Sequence, residues 1–171
     1  MAEITTELLI AAEQIGIKLE IVSGLPMWEM FPASRHQKAV DRIRQKINRI
    51  EQTIRPATND APCGCHHYAD IYISFPDGSL KRPDISIFCR EIEDSDEAIH
   101  TLPQAVIEIV SKGYESKDNE IGRLFYLSQG VKDVIVYDPA TDFVTHARRD
   151  GTKRLVSPVT ISLECGCEAS V

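Results

Sequence analysis

The chain of 171 residues predicts an α+β fold built on a central mixed β-sheet. Three observations carry that reading. Strand-like alternation recurs at 17–24, 68–74, 79–88, 104–110 and 132–139, whereas helical spacing marks 3–15, 34–54 and 118–129. Neither an internal repeat nor a low-complexity linker separates these segments, so residues 1–171 read as one domain. A hydrophobic content of 43% over this length is enough to bury a core without a framework of disulfides.

Each element follows from local pattern. Residues 3–15 form an N-terminal surface helix: acids occupy its first turn and no basic region precedes its apolar stretch, which is unlike a secretory leader. IKLEIVSG (17–24) alternates as a strand closing on a glycine turn, and 25–31 is a candidate second strand. From Ser34, a reasonable N-cap, Val40, Ile43, Ile47, Ile50 and Ile54 define an amphipathic helix reaching about residue 54. After a polar stretch, YADIYIS and SLKRPDISIF flank a Pro-Asp-Gly turn and read as a hairpin. An acidic loop (90–98), a strand at 105–110, a helix at 118–129 stopped by Gly130 and the strand KDVIVYDP follow. Shorter strands are expected around 143–148 and in a C-terminal strand region, 154–167.

No apolar run approaches membrane length, and the formal charge of −7 argues against an indiscriminate nucleic-acid coat while leaving room for a local basic groove. A cytoplasmic protein with no membrane partner is the expectation. The chemistry is expected at Asp84 and Glu108, carboxylates set among Ile, Val and Phe, where desolvation is costly unless a cation compensates it. Alternation puts Ala105, Ile107 and Ile109 on one face of their strand and Val106, Glu108 and Val110 on the other. Two acids on neighbouring strands can share one divalent ion; read alone, Asp84 is equally a turn residue after Pro83 and Glu108 a member of a buried ion pair.

The series Glu20 and Gly24, SRHQ (34–37), DGSLKRPDISIF, IEIVS, Asp118, Tyr126, Gly130-Val131 and YDP resembles the Uma-two-type endonuclease family of the PD-(D/E)XK restriction-endonuclease-like superfamily. The likeness covers about residues 17–163. It implies a restriction-endonuclease-like mixed sheet flanked by helices and a metal-dependent nuclease hydrolysing phosphodiester bonds, most plainly in DNA. On the resemblance, Asp84 and Glu108 hold Mg2+ or Mn2+ with the backbone carbonyl of Ile109, an all-oxygen set suited to hard cations. Asp70 adds a second contact, and Glu20 and His36 support the site. His36 shares the apolar stripe of its helix and should face the sheet; without the likeness it reads as a hydrogen-bonded core histidine and Glu20 as a solvent-facing strand residue.

One element of the pattern is missing. Superfamily members place a lysine two residues after the acidic ligand, where this chain has Val110; the resembling family also uses a position four residues after the aspartate matching Asp118, which here is Gly122. Lys112 is the nearest substitute in sequence, with Lys117 and Arg123 beyond it; arginine stays charged and can clamp a phosphate but not donate a proton. The alternative function is therefore a nuclease-fold binding module that has lost catalysis.

Phosphate contacts are expected from Arg35 and Lys38 on the long helix and from Lys81 and Arg82 beside Asp84. Cutting both strands of a duplex would favour a homodimer. The likeness does not account for two CGC motifs, Cys63 with Cys65 and Cys165 with Cys167, which are candidates for a Zn2+ site or else small, partly buried residues at strand ends. A disulfide between the motifs would need their backbones to approach closely.

Overall fold

The structure, a computed structural model, describes residues 6–50, 62–111 and 121–171. Its elements are α1 (Thr6–Gln14), β1 (Ile17–Val22), β2 (Leu25–Met30), α2 (Ser34–Arg44), β3 (Ile47–Arg49), β4 (His66–Tyr68), β5 (Ile73–Ser74), β6 (Leu80–Lys81), β7 (Ile85–Phe88) and β8 (Ala105–Ile109). There follow α3 (Arg123–Ser128), β9 (Asp133–Asp138), β10 (Phe143–Arg148), β11 (Gly151–Val156), β12 (Thr160–Ser162) and β13 (Cys167–Ser170). The strands form three sheets ordered β11-β10-β9-β8-β7-β4, β2-β1-β6-β5 and β12-β13-β3. The six-stranded sheet is mixed: β8 and β9 are parallel, and its other neighbours antiparallel.

Both faces of this central sheet are covered, which is why β7 and β8 are buried at every position. Ile85, Ile87, Ala105, Ile107 and Ile109 join a core with Val40 and Ile43 of α2 and Ile161 and Ala169 of the three-stranded sheet. Phe88, Val106, Val110 and Val136 face the opposite way, toward Val22, Ile73, Phe125 and Tyr126. The alternation expected for 105–110 therefore holds, and Glu108 points to the side where the four-stranded sheet and α3 lie.

Three expected elements differ. The helix read to residue 54 ends at Arg44, and Ile47 lies on β3, paired with Ala169 of β13. The apolar spacing survived the break because Ile43 and Ile47 enter the same core, one from a helix and one from a strand. Ala33, in extended conformation, occupies the cap and no side-chain bond caps the helix, so Ser34 is its first residue rather than its N-cap. The hairpin around the Pro-Asp-Gly turn is short. β5 pairs with β6 across Gly78 (φ +82°), but the chain then changes sheet at Arg82-Pro83, where proline has no N–H to continue a ladder. The described part of the second helix is α3, closed by Val131 N–H to Tyr126 O (3.1 Å) over Gly130 at φ +99°. Asp118 and Lys117 lie outside the described residues.

A buried polar knot stiffens the start of β9, an inner strand of the central sheet. Asp133 of β9, with no solvent exposure, accepts from His146 Nε2 (2.7 Å), from Arg148 Nε and from the Glu164 amide (2.8 Å). Burial alone would push this carboxyl up; the bonds from His146, Arg148 and Glu164 outweigh it and hold it below the usual aspartate range. A depressed pKa stabilises the fold above the unfolded value and is lost as pH falls through the folded one. Asp133→Asn is therefore expected to lower unfolding stability at neutral pH by about 2–3 kcal/mol. In urea titrations the difference should shrink as pH drops below the ordinary aspartate range.

Candidate active site

Three cross-strand pairs build the site. The tight turn at Ser23-Gly24 sets the β1–β2 register so that Lys18 faces Glu29. The β1–β6 pairing, anchored by Ile21 opposite Leu80, brings Glu20 beside Lys81. The β7–β8 register, Ile85 opposite Ile107, puts Asp84 opposite Glu108 one step further on. Along β1 the burial pattern is inverted from the usual one: Lys18, Glu20 and Val22 are its buried positions, and Ile17, Leu19 and Ile21 are only half-buried. A charged pair costs least in such a place when the other sheet supplies counter-charges, and it does.

Asp84 and Glu108 are locked to one another through the backbone. Glu108 Oε2 accepts from the Asp84 amide (3.1 Å), and Asp84 Oδ2 accepts from the Ile109 amide (2.7 Å). His36 Nε2, delivered by the first turns of α2, lies 3.0 Å from Asp84 Oδ2, and the Tyr126 hydroxyl of α3 donates to Glu108 Oε1 (2.5 Å). Two ammonium groups complete the cluster. Lys18 Nζ is 3.6 Å from Asp84 Oδ1 and 3.3 Å from Glu29 Oε1. Lys81 Nζ is 3.3 Å from Glu20 Oε2 and 3.9 Å from Glu108 Oε1, and it stands 4.8 Å from the centroid of the Tyr126 ring.

The electrostatics separate the two acids. Burial favours the neutral Asp84 carboxyl, but Lys18, the His36 hydrogen bond and the Ile109 amide more than compensate, and its pKa falls. For Glu108, burial and the neighbouring Asp84 charge win over Lys81 and Lys18, and its pKa rises. Burial works against the Lys18 ammonium, yet Asp84, Glu20, Glu108 and Glu29 together hold its pKa well above the ordinary value. Tyr126, buried and beside Glu108, stays a phenol well past its usual range and so remains a donor. The cluster is thus an anionic Asp84 and a proton-avid Glu108 with the side chains of Lys18 and Lys81 against them.

The expected supporting residues are here in part. Glu20 is 1% exposed, not solvent-facing; its Oε1 accepts the Arg82 amide (2.8 Å) and its Oε2 is ion-paired with Lys81. His36 points to the sheet as its helical spacing predicts, and its Nδ1 has no hydrogen-bond partner among the described residues. Asp70 sits at the margin in a left-handed turn (φ +61°), between Lys18 (3.8 Å) and Arg82 (2.9 Å). Lys81 corrects the sequence reading: at 2% exposure it is no surface phosphate contact but a buried counter-ion of the acids. Arg82 is committed to Glu13, Asp70 and the face of Tyr72. Arg123 is not in the cluster; it donates to Thr152 on β11, at the distant edge of the central sheet. At Ile109 the contact with Asp84 is made by the amide N–H. Lys112 lies outside the described residues.

Lys18 escaped the sequence reading altogether. Its signal was present: a two-residue turn at 23–24 sets Lys18 opposite Glu29, and a strand with charges at both 18 and 20 on one face is unusual unless that face meets other charges. Arg35 and Lys38 are exposed, as expected, and line a shallow groove with Arg42, Tyr137 and Asp142; Arg42 Nη2 donates to the Tyr137 hydroxyl (3.1 Å).

A mixed sheet displaying two acids from adjacent central strands, flanked by helices that each send one polar side chain to them, is the architecture of a restriction-endonuclease-like nuclease. The chain is similar to a solved structure described as a "putative nuclease belonging to DUF820" from Anabaena variabilis, with 17% identity, a TM-score of 0.58, and coverage of 84% of this chain and 80% of that one. At that identity the likeness is one of fold. The sequence profile of the Uma2 family, described as "Putative restriction endonuclease", matches residues 6–165, and the chain belongs to that family. No curated protein matches it. Among the described residues, no helix is long and apolar enough to cross a membrane.

Proposed function

We propose that the protein is a nuclease that hydrolyses phosphodiester bonds in DNA with Mg2+ or Mn2+ held by Asp84 and Glu108. The observation that supports this most is the cross-strand opposition of those two acids in a buried site. The carboxylates of Asp84 and Glu108 offer only oxygen, the ligand chemistry a hard cation takes, while Glu20 is joined to Glu108 through Lys81 rather than converging with the pair. Glu108, whose pKa burial and Asp84 raise, would gain most from a further positive charge beside it. The Ile109 carbonyl remains the proposed backbone ligand. When bound, the ion would polarise the scissile phosphate and lower the pKa of the attacking water.

The chain's own residues have separate tasks. His36 and the Ile109 amide fix the Asp84 carboxylate, and Tyr126 fixes Oε1 of Glu108 so that Oε2 faces Asp84. Lys18, an ammonium at Asp84 Oδ1, offers positive charge to phosphate oxygens; it takes the place of the lysine absent at Val110 and Gly122. Lys81 lies deeper and acts as a positioning residue for Glu20 and Glu108. The binding-module alternative rested on a missing cation, and these two lysines favour the enzyme. Arg35 and Lys38 would carry the duplex backbone along the groove beside Arg42, with a second copy of the chain supplying the cut in the other strand.

Cleavage of supercoiled plasmid and of single-stranded DNA tests the reading. Nicking is expected with Mg2+ or Mn2+ and is expected to stop on adding EDTA. A rate indifferent to EDTA would contradict it.

A further inference from the structure

All five cysteines gather on the side of the central sheet away from the acids. They come from three separate stretches: Cys63 and Cys65 before β4, Cys89 just after β7, and Cys165 and Cys167 at the start of β13. The sulfurs of Cys63, Cys65 and Cys167 lie within 4.8 Å of one another, and so do those of Cys63, Cys89 and Cys165. Cys63–Cys89 and Cys65–Cys167 form disulfides. That pairing leaves Cys165 as a thiol against the Cys63–Cys89 bond, and it sets Cys167 Sγ 3.5 Å from Cys63 Sγ.

Disulfides alone do not account for this cluster. A fifth, half-buried sulfur lies beside them, and both CGC loops are bent so that their sulfurs surround Cys63: Cys65 and Cys167 gather with it on one side, Cys165 and Cys89 on the other. Cys65 (φ +54°) and Gly166 (φ +88°) take left-handed conformations to do so. At Gly64 a Cβ would fall 2.5 Å from His66 Nε2 and 3.1 Å from the Cys89 carbonyl, so a larger residue would displace the His66 ring and crowd the Cys89 backbone. Four thiolates at about 2.3 Å from a tetrahedral zinc stand roughly 3.8 Å apart, close to the Cys63–Cys167 separation of 3.5 Å.

We propose that in the reduced protein Cys63, Cys65, Cys165 and Cys167 bind one Zn2+, with Cys89 left as the outer thiol. The two CGC loops act as the two chelating arms. The site is structural: it ties the β12–β13 hairpin to the segment entering β4, on the opposite side of the sheet from Asp84 and Glu108. Four electrons from a thiol reductant open the two disulfides, and Zn2+ then replaces the protons of four thiols and releases them.

The test is metal content of the full chain, reduced, supplied with zinc and desalted. About one zinc per chain is expected, released by an organomercurial in step with four thiols, while Cys89 alone reacts with iodoacetamide before release. Asp84→Asn is expected to retain the same zinc content, which separates this site from the acidic one, so that failure here leaves the nuclease reading standing. Cys89→Ser is expected to keep the zinc and Cys165→Ser to lose it. A reduced wild-type chain that holds less than about a tenth of an equivalent overturns the site. Loss in Cys89→Ser with retention in Cys165→Ser overturns the ligand assignment.

Discussion

Asp84→Asn is expected to lower kcat/KM for DNA cleavage about a thousandfold, or ~4 kcal/mol of transition-state stabilisation. The substitution is isosteric and removes the charge that three neighbours address: Lys18 at Oδ1, and His36 and the Ile109 amide at Oδ2. Its pKa is held down, so at neutral pH the native group is an anion and the lost charge is a whole one. Lys18 keeps Glu29 at 3.3 Å, so the ammonium is not stranded and the fold should survive. Single-turnover cleavage at saturating Mg2+ isolates the effect from binding. Activity within tenfold of wild type would mean that Asp84 is not in the machinery.

Lys81→Met is expected to cost stability as well as rate. Methionine conserves the volume but strips the shared cation from Glu20 and Glu108, two buried acids at 3.3 and 3.9 Å from Nζ. Removing one partner of a buried ionic cluster typically costs about 3–5 kcal/mol, because the remaining charges stay desolvated. A divalent ion at the same carboxylates would offset that loss. In thermal melts Mn2+ should raise the Tm of Lys81→Met by more than that of wild type, and cleavage should fall about a hundredfold at limiting metal and recover partly at high metal. Equal melting temperatures with and without the substitution would show that the lysine carries no such burden.

The acids were legible in the sequence and the cations were not, for a physical reason. Asp84 and Glu108 announce themselves as charges inside apolar strands, and alternation alone assigns Glu108 to one face. Lys18 and Lys81 sit in strands whose partners are set by tertiary pairing, Ile21 with Leu80 across some sixty residues of chain, and local pattern has no access to that register. Lys81 was misread as a surface contact for the same reason. The boundary of α2 was missed because Ile47 continues the helical spacing while belonging to β3. The cysteine motifs suggested a meeting of their two loops; the gathering of Cys89 with them depended on the path of β7.

The central claim, that Asp84 and Glu108 together grip a hard divalent ion, is tested most directly by calorimetric titration of Mn2+ into the wild-type chain and into Asp84→Asn/Glu108→Gln. The account predicts a saturable site in the wild type and its disappearance in the double variant, with both proteins folded by circular dichroism. Equal manganese affinity in the two proteins would contradict it.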